Sequence, residues 1–190
     1  MLVYLHGFIS SAASHKAQSM KRYLEGRGLA SRYACPALPD APAAAIRAIE
    51  QAIAGRDPRS LTFLGSSLGG FYATYLAERL GCRAVLINPA VTPHIGLAAY
   101  LGTQKNLHTG EPYELTPAHL EGWRGLQVAR IDPEKYLLLL ETGDEVLDWR
   151  AAARKYEGAR MVVRDGGDHS LQCFPEMMPR IVEFARLKAD

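Results

Sequence analysis

The sequence predicts an α/β fold, a six-stranded and mostly parallel sheet in the strand order 2-1-3-4-5-6 with helices on both faces. Three observations predict it. Short apolar runs of strand length alternate with stretches whose apolar residues recur at helical spacing. Glycine and proline punctuate nearly every junction between them. One junction, in the stretch Leu61 to Leu76, passes from an apolar run straight into a helical pattern through Gly65-Ser66-Ser67-Leu68-Gly69, with no linker. Strands that alternate with helices pair in parallel, and right-handed crossovers then send the helices to both faces of one sheet.

The elements follow in order. Leu2 to Leu5 is a short β-type run that stops at His6-Gly7-Phe8, and a polar loop leads to a helix over about Ser14 to Glu25, with Met20 and Leu24 on its apolar stripe. Ser31 to Cys35 reads as the second strand, ahead of Pro36 and Pro39. Ala43 to Ala54 carries Ile46, Ile49 and Ile53 at helical spacing and closes at Gly55. Leu61 to Leu64 is the third strand, the helix after Gly69 runs to about Leu80, and Arg83 to Asn88 is the fourth strand. Tyr136 to Glu141 is apolar enough for a strand buried on both faces. Leu147 to Tyr156 is a helix and Arg160 to Arg164 the last strand. The final helix is expected to start near Pro179, because proline is best tolerated in a first turn.

Between Pro89 and Pro133 the alternation lapses. A connection of that length inside one domain is usually functional, so the segment at about 89–133, with Tyr100, Tyr113 and Trp123, is expected to be a cap-like insertion in a single domain spanning residues 1–190. The simpler reading is an excursion with a short helix or two that merely covers the sheet.

Composition narrows the function classes. With 48% apolar and 22% charged residues the chain should fold as an ordinary globule, and its formal charge of +2, without any dense lysine or arginine cluster, sets nucleic acid aside as a partner. No apolar span reaches membrane length and no signal peptide opens the chain, so no membrane insertion and a cytoplasmic location are expected. Cys35, Cys82 and Cys173 form no C-x-x-C pair, which points to free thiols and to neither a disulfide framework nor a zinc site.

The Gly65–Gly69 pentapeptide has the Gly-x-Ser-x-Gly form of a nucleophile elbow, a sharp strand-to-helix turn that lifts the central hydroxyl above the sheet at a helix N-terminus. Ser67 is the central residue, and a Cβ at Gly65 or Gly69 would crowd so tight a turn. A serine hydroxyl is a weak nucleophile near neutrality and needs a base. Of the six histidines, His169 follows the last strand on a loop loosened by Gly166 and Gly167, whereas His15, His94, His108 and His119 lie in helical or insertion segments and read as surface or structural. The base in turn needs an acid to hold its tautomer. Asp144 lies just after a strand and between Ser67 and His169 in the chain; Glu145 and Asp148 compete with it, and Asp168 abuts the histidine. Two backbone N–H groups should bind the developing oxyanion, those of Leu68 and Phe8, with His6 and Gly7 shaping the loop that carries Phe8. No metal or organic cofactor is implied.

Taken together, Leu5-His6-Gly7-Phe8, Gly65-Ser66-Ser67-Leu68-Gly69-Gly70, Thr142 to Asp148 and Gly166-Gly167-Asp168-His169 make the chain similar to the α/β-hydrolases, and more narrowly it resembles the small bacterial esterases of the YqiA type. The likeness continues through Val85 to Ala90, Tyr100-Leu101-Gly102 and Asn106 to Tyr113. It implies a minimal hydrolase, lacking the first strands of the larger fold, that acts on small acyl esters or acyl-CoA thioesters as its small-molecule partners. A protein-binding module that retains the fold without the reaction, and an acyltransferase using another acceptor, are the alternatives.

Overall fold

The computed structural model describes residues 1–107 and 109–188. In chain order the elements are β1 (Leu2–Leu5), α1 (His15–Glu25), β2 (Tyr33–Ala34), α2 (Pro42–Ala52), β3 (Thr62–Ser66), α3 (Leu68–Leu80) and β4 (Arg83–Ile87), then α4 (Pro93–Gly96), β5 (Gly102–Lys105), β6 (Pro112–Leu115) and α5 (Pro117–Gly125), and finally β7 (Tyr136–Glu141), α6 (Trp149–Lys155), β8 (Arg160–Arg164) and α7 (Phe174–Phe184). Six strands form one sheet in the order β2-β1-β3-β4-β7-β8, and every neighbouring pair in it is parallel. Counted within the sheet alone, that order is 2-1-3-4-5-6, the one the sequence predicts. No described helix is long and apolar enough to cross a membrane.

The period-two alternation of each strand divides the core between the two faces. Val3, Leu5, Phe63, Leu86, Leu138 and Leu140 belong to one apolar cluster with residues of α2, α3, α5 and α6. Leu2, Tyr4, Leu64, Ile87 and Leu139 belong to the other, with Met20 and Leu24 of α1 and Phe174, Met177 and Ile181 of α7. Burying a single leucine or phenylalanine side chain stabilises by about 1.5–3 kcal/mol, so both helix layers are held by their apolar stripes rather than by helix propensity.

Two expectations are corrected. The second strand shrinks to Tyr33–Ala34, because Ala30–Arg32 turns as a 3-10 helix before it. It is the sheet's edge and pairs only with β1, at Leu2 and Val3, so a long ladder has nothing further to join. The last helix begins at Phe174, with Pro175 in its first turn and Pro179 inside it. An interior proline costs about 3 kcal/mol. The burial of Phe174, Met177, Met178, Ile181 and Phe184 on one side of α7 outweighs that cost. The segment at 89–133 holds more order than a helix or two, since β5 and β6 form an antiparallel hairpin beside α4 and α5. Smaller shifts move the ends of β3 to Ser66, of β4 to Ile87 and the start of α6 to Trp149.

Leu138 is wholly buried at the middle of β7, between β4 and β8. Replacing it with alanine is expected to cost about 2–5 kcal/mol in urea unfolding with an unchanged m-value. A cost below about 1 kcal/mol would mean that the site is not part of the packed core.

Candidate active site

Ser67 is the single residue between the end of β3 and the start of α3, and its backbone sits at φ 54, ψ −120. A non-glycine residue held there costs roughly 1–3 kcal/mol and persists only when its surroundings over-determine it. They do: its N–H donates to the Ile87 carbonyl (3.0 Å), and its own carbonyl accepts from Gly70 N (2.9 Å) and Ala90 N (3.1 Å). The turn closes only because two side chains are missing. A Cβ on Gly65 would strike the Gly69–Gly70 backbone, and one on Gly69 would strike the Leu5 carbonyl.

His169 lies on the loop joining β8 to α7. Its Nδ1 is 2.9 Å from both carboxylate oxygens of Asp144, whose side chain is 1% exposed. Asp144 also accepts the N–H groups of Val146 (2.9 Å) and Leu147 (2.8 Å), so its carboxylate is fixed from two sides. Burial opposes its ionisation, but the hydrogen bond from His169 and the Leu147 N–H, with the Val146 N–H adding to them, outweigh that and hold its pKa below the ordinary carboxylate value. The competing carboxylates have other partners. Glu145 accepts the main-chain N–H of His169 (2.9 Å), Asp148 caps α6 through Arg150 N, and Asp168 accepts from Ser170 N (2.8 Å) and Gln172 Nε2 (2.9 Å).

Ser67 and His169 line one cavity of about 520 Å³, together with Tyr4, Phe8, Leu107 and Phe174. That size suits a small organic ligand. Its wall also includes His15 and Lys16 from the first turn of α1. His15 therefore sits beside the cavity, a place its helical position does not reveal. The Lys16 ammonium donates to the Ser170 carbonyl (2.8 Å), and burial lowers its pKa against the opposing pull of Asp168, Asp144 and Glu141. His94 lies in α4 and His119 joins Thr116 in the capping box of α5, while His108 falls outside the described residues.

The Phe8 loop is pinned from both sides. His6 is buried, and its Nε2 accepts the Leu38 N–H (3.3 Å), which leaves Nδ1 to donate to the Gly7 carbonyl (3.1 Å). Gly7 runs against Ser67, where an added Cβ would come within 3.3 Å of the serine Cβ. The insertion holds the far side: Asn106 Nδ2 donates to Ser10 O (3.0 Å), Leu107 N donates to Ile9 O (2.9 Å), and the Phe8 ring meets Tyr100 and Tyr113 edge-on. Leu68 is the first residue of α3, so its N–H has no acceptor within the helix. Among the described residues no group of three His, Cys, Asp or Glu side chains could hold a metal ion.

Two buried polar residues at this edge escape a reading of the sequence. Asn88, directly after β4, and Glu141, the last residue of β7, are each 2% exposed and bond to the loop that carries His169. In sequence they look like ordinary strand ends, and nothing in the spacing marks them.

Because the folded-state pKa of Asp144 lies below its unfolded value, its ionised form contributes stability that is fully present above the unfolded value, about 3.9, and is lost as the pH falls through the lower folded value. Urea unfolding followed from about pH 6 down to about pH 3 is expected to show a shallower acid loss for Asp144→Asn than for the natural chain. Equal slopes would remove the carboxylate from the acid response.

Solved structures share this architecture at low identity. α/β hydrolase domain-containing protein 10 from mouse superposes with a TM-score of 0.77 at 13% identity, covering 97% of this chain and 89% of that one. The esterase domain of a Rhodothermus marinus protein gives 0.69 at 20% identity, covering 97% and 85%, and the monoacylglycerol lipase of Paleococcus ferrophilus gives 0.70 at 17%, covering 97% and 93%. At such identities the likeness is one of fold, and the fold is that of the α/β-hydrolases. The sequence itself matches the uncharacterised protein family UPF0227 over residues 1–186, so the chain belongs to that family.

Proposed function

We propose that this protein is a serine esterase acting on small acyl esters, with thioesters within reach of the same chemistry. The observation that carries the reading is the buried Asp144 carboxylate bonded to Nδ1 of His169, on the cavity that Ser67 also lines. A carboxylate at Nδ1 leaves Nε2 to act as the base and favours the imidazolium once it forms.

In this proposal Ser67 Oγ attacks the acyl carbonyl carbon while His169 Nε2 takes its proton. The reaction requires the two atoms to close to hydrogen-bond distance in the substrate complex. The carbonyl oxygen becomes an oxyanion held by the N–H groups of Phe8 and Leu68, each donor contributing about 3–4 kcal/mol to the transition state. His169 then protonates the departing alcohol or thiol, leaving the acyl group on Ser67. Water attacks that ester with His169 again as base, and His169 returns the proton to Ser67 Oγ as the bond to the acyl group breaks and the carboxylic acid is released. His6 and Gly7 hold the Phe8 loop, and Gly65 and Gly69 permit the turn. The 89–133 insertion serves as the cap, and the aromatic and aliphatic wall of the cavity receives the apolar part of the substrate. The esterase and lipase named among the fold relatives agree with this chemistry.

A fluorophosphonate should label the natural chain on the peptide containing Ser67, and Ser67→Ala should abolish the label and lower kcat for short p-nitrophenyl esters by about a million-fold. Labelling that survives in Ser67→Ala refutes the assignment. Absence of both turnover and labelling in the natural chain favours a binding role, and transfer to an added alcohol in preference to water favours an acyltransferase.

A further inference from the structure

The loop at residues 165–173 has no ladder of its own, yet it must present an imidazole to a hydroxyl on another loop. Asp144 and Glu145 reach His169 at its ring and its amide. Neither fixes the chain on both sides of it.

The Glu141 carboxylate does. Its Oε2 accepts the N–H groups of Asp168 (2.9 Å) and Gln172 (2.8 Å), and its Oε1 accepts that of Cys173 (2.8 Å). One side chain thus binds the main chain immediately before His169 and again three and four residues after it. Asn88, directly after β4, completes the grip. Its Nδ2 donates to the carbonyls of Asp168 and His169, both at 3.2 Å, while its Oδ1 accepts the N–H of Glu141 at 3.2 Å. Even Gly167 is shaped to this contact: it sits at φ 70, and a Cβ there would occupy the space of the Glu141 carboxylate.

Simple loop anchoring does not require a buried charge, because a neutral amide could accept some of these bonds with less desolvation. Ionised, the carboxylate accepts all three N–H groups with charge-assisted bonds and donates none, so the donors converge on one small acceptor and the loop has one geometry. Burial opposes its ionisation, yet the N–H groups of Cys173, Asp168 and Gln172 hold its pKa below the ordinary value.

We propose that Glu141, locked by Asn88, is a positioning residue of the reaction, fixing the main chain of His169 so that Nε2 stands over Ser67 while Asp144 orients the ring. The inference rests on the serine-esterase reading. It touches neither substrate nor ring, so its effect is on alignment, where a displacement of about 1 Å costs roughly a hundredfold in rate.

The full chain carrying Glu141→Gln, and separately Asn88→Gly, which keeps the left-handed backbone found at φ 38, tests it. Three quantities are measured for each: the melting temperature, kcat and KM for a short p-nitrophenyl ester, and the low-field proton resonance of the His169–Asp144 hydrogen bond. Folded variants are expected to lose about a hundredfold in kcat with KM little changed, and to shift or lose the resonance. If Glu141→Gln does not fold, Asn88→Gly carries the test. A folded variant with natural kcat and an unmoved resonance overturns the proposal, as does a failure of both variants to fold, which would assign the pair to the fold alone. Should the natural chain show neither turnover nor Ser67 labelling, the esterase reading falls, and the resonance still decides whether Glu141 sets the position of His169.

Discussion

The parallel ladder is the constraint on which the rest depends. In parallel strands the C-terminal ends all point to one edge, and here the hydrogen bonding does not stop where the strands do. Ser67 N bonds to Ile87 O, Asn88 N to Leu139 O and Thr142 N to Arg164 O, so the loops after β3, β4 and β7 leave the sheet as overhangs of the ladder. The positions of Ser67, Asn88 and the Asp144 turn are therefore set by strand register before any side chain is considered. A slip of one residue would send each side chain to the opposite face and scatter the group.

Close backbone approach is the second requirement, and it is met by leaving side chains out. Gly69 brings α3 against the Leu5 carbonyl, which draws the turn at Ser67 onto the end of β1 and onto Gly7. Leu68 at the start of α3 and Gly7 and Phe8 of the loop after β1 then line a common space. The strain at Ser67 is balanced by the bonds its own backbone makes to β4 and α3.

Three buried polar side chains at this edge, Asn88, Glu141 and Asp144, are each answered by partners. Asn88 is surrounded by an amide and two carbonyls, Glu141 by three amides, and Asp144 by two amides and an imidazole. Buried polar networks are favourable only when every member is satisfied, and then they impose a single geometry. The insertion is tied on differently, by Asn106 and Leu107 reaching the loop after β1 and by the Phe8 ring packed between Tyr100 and Tyr113.

Much of this was legible in the residues themselves, because local rules govern it. Apolar periodicity gives the strands and helices and their sheet order, and the glycine spacing around Ser67 marks a turn that few sequences tolerate. Motif and chain order also singled out Ser67, His169 and Asp144 as a group. What the residues could not decide depends on distance across the fold. Pro179 sits inside α7 because packing against the sheet exceeds a local penalty, and the second strand is short because it has become an edge. Asp144 meets the His169 ring while Glu145 meets only its amide, a choice between adjacent carboxylates that turns on where the chain bends. Glu141 and Asn88 read as plain strand ends; their partners lie in a loop far along the chain, and only the folded sheet edge brings them within hydrogen-bond reach.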